Sequence, residues 1–116
     1  VDKPFAPSVA DAEAIIAAAD AAQRPLTVFQ NRRWDGDFRT VTTLVNTGAL
    51  GTVHRFESTF ERFGAPKRDQ WQGQISPTQG GGILFDLGSH LIDQALTLFG
   101  PATLEVAELR TIAREG

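Results

Sequence analysis

Cysteine is absent from all 116 residues, which excludes a disulfide framework and any thiolate zinc site. No apolar run reaches the roughly 18–20 residues needed to span a bilayer. Nor does a basic-then-apolar segment open the chain as a signal peptide would. Positive charge is scarce: 11 Lys and Arg stand against 14 Asp and Glu, a net charge of −3. That balance argues against a nucleic-acid or anionic-membrane surface. Internal repeats and low-complexity segments are missing, and so is the G-x-G-x-x-G turn of a dinucleotide-binding fold. The remainder, 41% hydrophobic and 22% charged, is ordinary globular material, for which a cytoplasmic setting is expected. Its length suits one domain or a piece of a larger one, burying roughly 65% of its unfolded surface. Val1-Asp2-Lys3-Pro4 leads straight into a helix with no preceding element, so a fragment of a longer protein is expected.

Helices and strands alternate along the chain. Ser8 followed by Asp11 resembles a capping box, opening an alanine-rich helix to about Gln23 that Arg24-Pro25 stops. Residues 26–31 form a short strand. Asp35-Gly36-Asp37 caps a second helix over about 37–47, closed by Gly48. From Thr52 to Phe63 alternation is strict: Phe56, Ser58 and Phe60 point one way and Arg55, Glu57, Thr59 and Glu61 the other. That pattern predicts a half-buried strand with one polar face. A long loop over 64–82 carries Trp71, and Thr103 to Ile112 is a last strand. The order predicts an α/β (α+β) chain, a layered sheet with helices packed on it. Gly80-Gly81-Gly82 precedes a helix and could offer amides to an anion, but a flexible hinge is the preferred reading.

The chemistry concentrates after those glycines. Asp86, His90, Asp93 and Thr97 fall three and four residues apart, on one helical face. Leu84, Leu87, Leu91, Ala95 and Leu98 form the opposite, core-facing stripe. Histidine titrates near neutrality, and a carboxylate one turn before it can hold one ring nitrogen and leave the other as a proton acceptor. A solvated helix face that includes a His is the plain alternative. Asp86, His90 and Asp93 would also suit a divalent ion, but three ligands within two turns of one helix are cramped, and no metal is expected.

Three segments together resemble the Gfo/Idh/MocA oxidoreductases, relatives of glucose–fructose oxidoreductase and inositol dehydrogenase. They are Asp2-Lys3-Pro4, Val28-Phe29-Gln30-Asn31-Arg32-Arg33-Trp34-Asp35, and Gly81 through Asp93 with its Asp86-x-x-x-His90 pair. Gln30 to Asp35 and Phe60 to Phe63 look most like the scyllo-inositol dehydrogenase-like branch. Asp2 departs from the family's usual Glu.

The resemblance implies a Rossmann domain binding NAD or NADP, followed by an open-faced sheet domain with helices on one face that builds a homo-oligomer. On that map residues 1–34 are the tail of the Rossmann domain and 35–116 the first part of the substrate and oligomerisation domain. The substrate is a sugar or polyol oxidised at a secondary alcohol. His90, held by Asp86, would be the general base. Lys3 would steady the developing alkoxide, and Lys3 and Pro4 would meet the cofactor. Asp93, Arg32 and Trp71 are candidate substrate contacts. Each has a plain counterpart. Lys3 reads otherwise as an exposed lysine before a proline, Asp93 as a helix-surface carboxylate, Arg32 or Arg33 as a salt-bridged surface arginine, and Trp71 as a loop anchor. The other function class is a structural or assembly module with no activity of its own.

Overall fold

A computed structural model describes residues 1–61 and 75–110. Three α-helices organise it: α1 (Val9–Ala21), α2 (Gly36–Asn46) and α3 (Ser89–Phe99). Helix α1 starts where the capping pattern predicts. Ser8 is its N-cap, with Oγ accepting from the Asp11 amide at 3.1 Å and donating to the Asp11 carboxylate at 2.6 Å. Helix α2 ends at Asn46, and Gly48 follows at φ +70°, the left-handed region in which glycine is unstrained. Its N-cap works differently from expectation. The Asp35 side chain makes no capping bond; its carboxylate binds Arg32 at 3.0 Å, while Asp37 accepts from the Phe38 amide.

The third helical region is two elements. Leu84–Gly88 is a π-turn, and α3 begins only at Ser89. Such widened turns are rare and recur at functional sites. At Gly88 within it, a Cβ would lie 2.7 Å from Cδ1, the flexible tip of the Leu84 side chain. The core-facing stripe is partly as expected, since Leu87 is buried while Leu84 is exposed.

The glycine triplet before the π-turn is a closing turn rather than a hinge. A 3-10 turn over Pro77–Gln79 ends at Gly80 (φ +83°). The Gly80 and Gly81 amides bond to the carbonyls of Pro77 and Ser76. Gly81 lies so close to Ile75 that an added Cβ would sit 2.0 Å from its carbonyl oxygen.

The expected strands are not strands among the described residues. The one β-bridge there joins Asp2 to Phe29 in parallel, and residues 52–61 and 103–110 carry no ladder. A strand needs a neighbouring backbone about 4.8 Å away, and the described residues supply none. Two of the apolar side chains expected on one face do make contacts. Phe56 packs against Phe99 at 5.3 Å between centroids, and Phe60 lies under the Arg32 guanidinium at 5.1 Å. Phe56 nevertheless stays 37% exposed. The described part is thus mostly helical, and the layered sheet expected from the sequence is not formed within it.

The core is small. Phe38 from α2, Leu87 from the π-turn and His90 from α3 are its buried side chains among the described residues. A further 3-10 turn, Asn31–Trp34, packs against α2 and α3, so residues 31–46 and 84–99 converge on these side chains.

Candidate active site

Lys3 and Asp86 are 83 residues apart in sequence and meet in space. The Lys3 Nζ donates to the Asp86 carboxylate at 2.9 Å and to the Asp86 carbonyl at 2.5 Å. Two devices place them. The Asp2–Phe29 bridge, with the Phe29 amide donating to the Val1 carbonyl at 2.8 Å, anchors the segment that ends in Lys3-Pro4. On the other side the π-turn opens from the glycine turn, the Asp86 amide donating to the Gly82 carbonyl at 3.1 Å. The Lys3 side chain is 15% exposed and that of Asp86 33%. The ion pair is thus partly shielded, where such a bond is stronger than at a free surface.

His90 is the most buried polar side chain described, 4% exposed. Its Nδ1 is inaccessible and has no hydrogen-bond partner among the described residues. The expectation that Asp86 holds the imidazole is therefore corrected, because the Asp86 carboxylate is bonded to Lys3 instead. The physical reason is the π-turn. An i, i+4 pair meets across a regular α-turn, and here the turn carrying Asp86 is wider than that. Electrostatics still links the three. Burial pushes the His90 pKa below its ordinary value, and the nearby positive charges of Lys3 and Arg32 push the same way. Asp86 and Asp35 oppose this without reversing it. A lowered pKa means a neutral imidazole at pH 7, the form that accepts a proton.

Asp93 and Arg32 are already engaged inside the chain. Arg33 grips Asp93 with both prongs, Nε to Oδ2 at 2.8 Å and Nη2 to Oδ1 at 2.6 Å. That bond holds the Arg33 guanidinium above its ordinary pKa, burial opposing. Arg32 bonds Asp35 and covers Phe60, with its Nε buried and unpartnered among the described residues. Arg32 is thus the salt-bridged arginine of the plain reading, and Asp93, with a side chain 13% exposed and paired with Arg33, is not an open helix-surface carboxylate. Pairing of Asp86 with Lys3 and of Asp93 with Arg33 also occupies both carboxylates that the divalent-ion reading needed. The pairing of Arg33 with Asp93 is not among the contacts expected from the sequence. Two carboxylates seven residues apart on one arm, facing Arg and Lys from one segment, were the available signal. Trp71 lies outside the described residues.

Lys3 and Pro4 border an open hollow of about 350 Å³ with Phe5, Gln79 and Gly80. Of the candidate catalytic and cofactor-contact residues, Lys3 and Pro4 line this hollow and His90 does not, so a cation, with Asp86 bonded to it, is what the hollow offers a ligand. The glycine turn does not fit the phosphates: the Gly80 and Gly81 amides that might cradle an anion already bond to carbonyls of their own turn.

Taken with its sequence, this arrangement defines a class: the chain belongs to the GFO/IDH/MocA family, whose C-terminal domain profile matches residues 38–116. Among individual relatives, it is 48% identical over 113 residues to the uncharacterized oxidoreductase YdgJ of Escherichia coli, covering 95% of this chain and 32% of that protein. It is 35% identical over 100 residues to the scyllo-inositol 2-dehydrogenase (NADP(+)) IolW of Bacillus subtilis, covering 86% of this chain and 27% of that protein. A crystal structure of a Klebsiella pneumoniae protein described as an oxidoreductase superposes with a TM-score of 0.69 at 48% identity, over 86% of this chain and 27% of that one. The Bacillus subtilis protein yvaA, described likewise, gives 0.72 at 34% identity, over 92% and 32%. The chain spans about a third of the length of the curated relatives it matches.

Proposed function

We propose that this chain carries the alcohol-facing half of the site of an NAD- or NADP-dependent dehydrogenase acting on a secondary alcohol of a sugar or cyclitol. On this reading residues 1–34 close the nucleotide-binding domain and 35–116 begin the substrate domain. One observation carries it: Lys3 is brought across 83 residues onto Asp86, four residues before a buried histidine whose pKa is lowered by burial and by the Lys3 charge.

Oxidation of the alcohol moves a hydride, which carries two electrons, from the carbinol carbon to the nicotinamide, which would supply that acceptor when bound. The hydroxyl proton must leave in the same reaction. His90 takes it, since the neutral imidazole has a lone pair to offer; a positioned base contributes roughly 10²–10⁴-fold. Lys3 donates to the alcohol oxygen and stabilises the negative charge that grows there. Asp86 holds the Lys3 ammonium in place and balances its charge while no substrate is bound. Pro4 continues the wall from Lys3 along the hollow.

An assembly role is compatible with this one. Leu104, Val106 and Leu109 stand exposed on a segment with no paired edge among the described residues, and open edges recruit other chains. The enzyme would then be a homo-oligomer joined through that segment.

The test is the full-length protein, assayed for growth of reduced nicotinamide absorbance with NAD⁺ or NADP⁺ against cyclitols and sugars, scyllo-inositol included. Turnover of at least one ring or sugar alcohol is expected. A folded protein that reduces neither cofactor with any of them contradicts the reading.

A further inference from the structure

The arm formed by the π-turn and α3, residues 84–99, is tied to residues 1–34 at two points. Asp86 holds Lys3, and Asp93 holds Arg33. His90 lies between them, four residues after the first tie and three before the second. The two basic partners are themselves joined, because Lys3 follows Asp2, Asp2 bridges Phe29, and the chain runs from Phe29 into the turn that bears Arg33. The result is a closed circuit of contacts that runs through the segment bearing His90. We propose that Arg33 and Asp93 form a positioning clasp that sets the height and rotation of α3, and so places His90 relative to Lys3.

Three features support the clasp. The contact is a two-pronged fork, which constrains orientation as well as distance in a way that a lysine cannot. The Asp93 side chain is only 13% exposed, so its charge is largely withdrawn from water, although Arg33 is half open at 48%. A third bond runs the same way, from Gln94 Nε2 to the Arg32 carbonyl at 3.3 Å. Residue rise in an α-helix is 1.5 Å, so slippage of α3 by one residue would break the fork and displace His90 by about that distance. Errors of about 1 Å in a reacting geometry can cost on the order of 10²-fold in rate.

The activity arm of the test rests on the dehydrogenase reading; the exchange arm does not. In the full-length protein, Arg33→Ala and Asp93→Asn should each lower kcat about 10-fold while KM for the alcohol changes less than twofold. The double variant should be no worse than either single one, since both remove the same contact. The swapped pair, Arg33→Asp with Asp93→Arg, should recover part of the loss. A rise in KM for Asp93→Asn alone would instead make Asp93 a substrate contact and overturn the clasp, as would effects that multiply. Hydrogen exchange needs no turnover. Peptides within 84–99 should exchange faster in Arg33→Ala, and those of α1 should not change. Unaltered exchange across 84–99 would overturn the clasp even in a protein that oxidises no alcohol.

Discussion

At the scale of single residues the account turns on the charge state of His90. Its folded pKa lies below the ordinary value of 6.5, first through burial and then through Lys3 and Arg32. The folded protein therefore binds fewer protons than the unfolded chain in the window between the lowered value and about 6.5. Stability should be fully present above about pH 6.5 and fall as the pH drops through the lowered value. Replacing His90 with Gln should flatten that dependence, measured as unfolding free energy at pH 7.5 and 5. The same shift bears on catalysis. The acid limb of kcat/KM in the full-length protein should fall below pH 6.5, and Arg32→Gln should move it upward, because one of the charges that repel the proton is then gone. A limb centred above 6.5 would contradict the neutral-base assignment. These residue-scale facts were only partly legible. The spacing of Asp86 and His90 marked the site, but spacing alone pairs them with each other. The Lys3–Asp86 contact joins positions 83 residues apart, and no local pattern encodes a contact of that range. Only the family resemblance brought Lys3 into view.

At the scale of elements, the helices were legible and the strands were not. Ser8 and Asp11 marked the start of α1 because capping is a contact between neighbours in sequence, and Gly48 marked the end of α2 for the same reason. A strand's stability lies in its partner, so alternation over 52–63 could assign Phe56 and Phe60 to one face without supplying an edge for the segment to join. The π-turn was illegible because a repeat of three and four residues reads the same whether or not one turn widens. Its support is nonetheless specific. Gly81 lets the glycine turn close on Ile75, and Gly81→Ala would force a Cβ to within 2.0 Å of a backbone oxygen. Overpacking of that kind costs about 1–3 kcal/mol. Denaturant unfolding of the full-length protein should show a loss of at least that size, with lower turnover as Asp86 moves. A variant as stable as the wild type would mean that the turn is not as close as described.

At the scale of the molecule, the described helices leave much apolar surface uncovered. Ile15, Ile16 and Val9 of α1 and Leu104, Val106 and Leu109 of the last segment are all exposed. This chain spans about a third of the length of its relatives and brings Lys3 onto Asp86 from 83 residues away. The Gly80 and Gly81 amides are engaged within their own turn, and the chemistry proposed for this chain concerns the alcohol and its proton. The central claim is that His90 is the base and acts on substrate alone. It is tested most directly by measuring kcat and cofactor dissociation constant together for His90→Ala in the full-length protein. The expected result is a kcat lowered by roughly 10²–10⁴-fold with cofactor affinity unchanged within about twofold. Near-normal turnover, or a loss explained entirely by weaker cofactor binding, would contradict it.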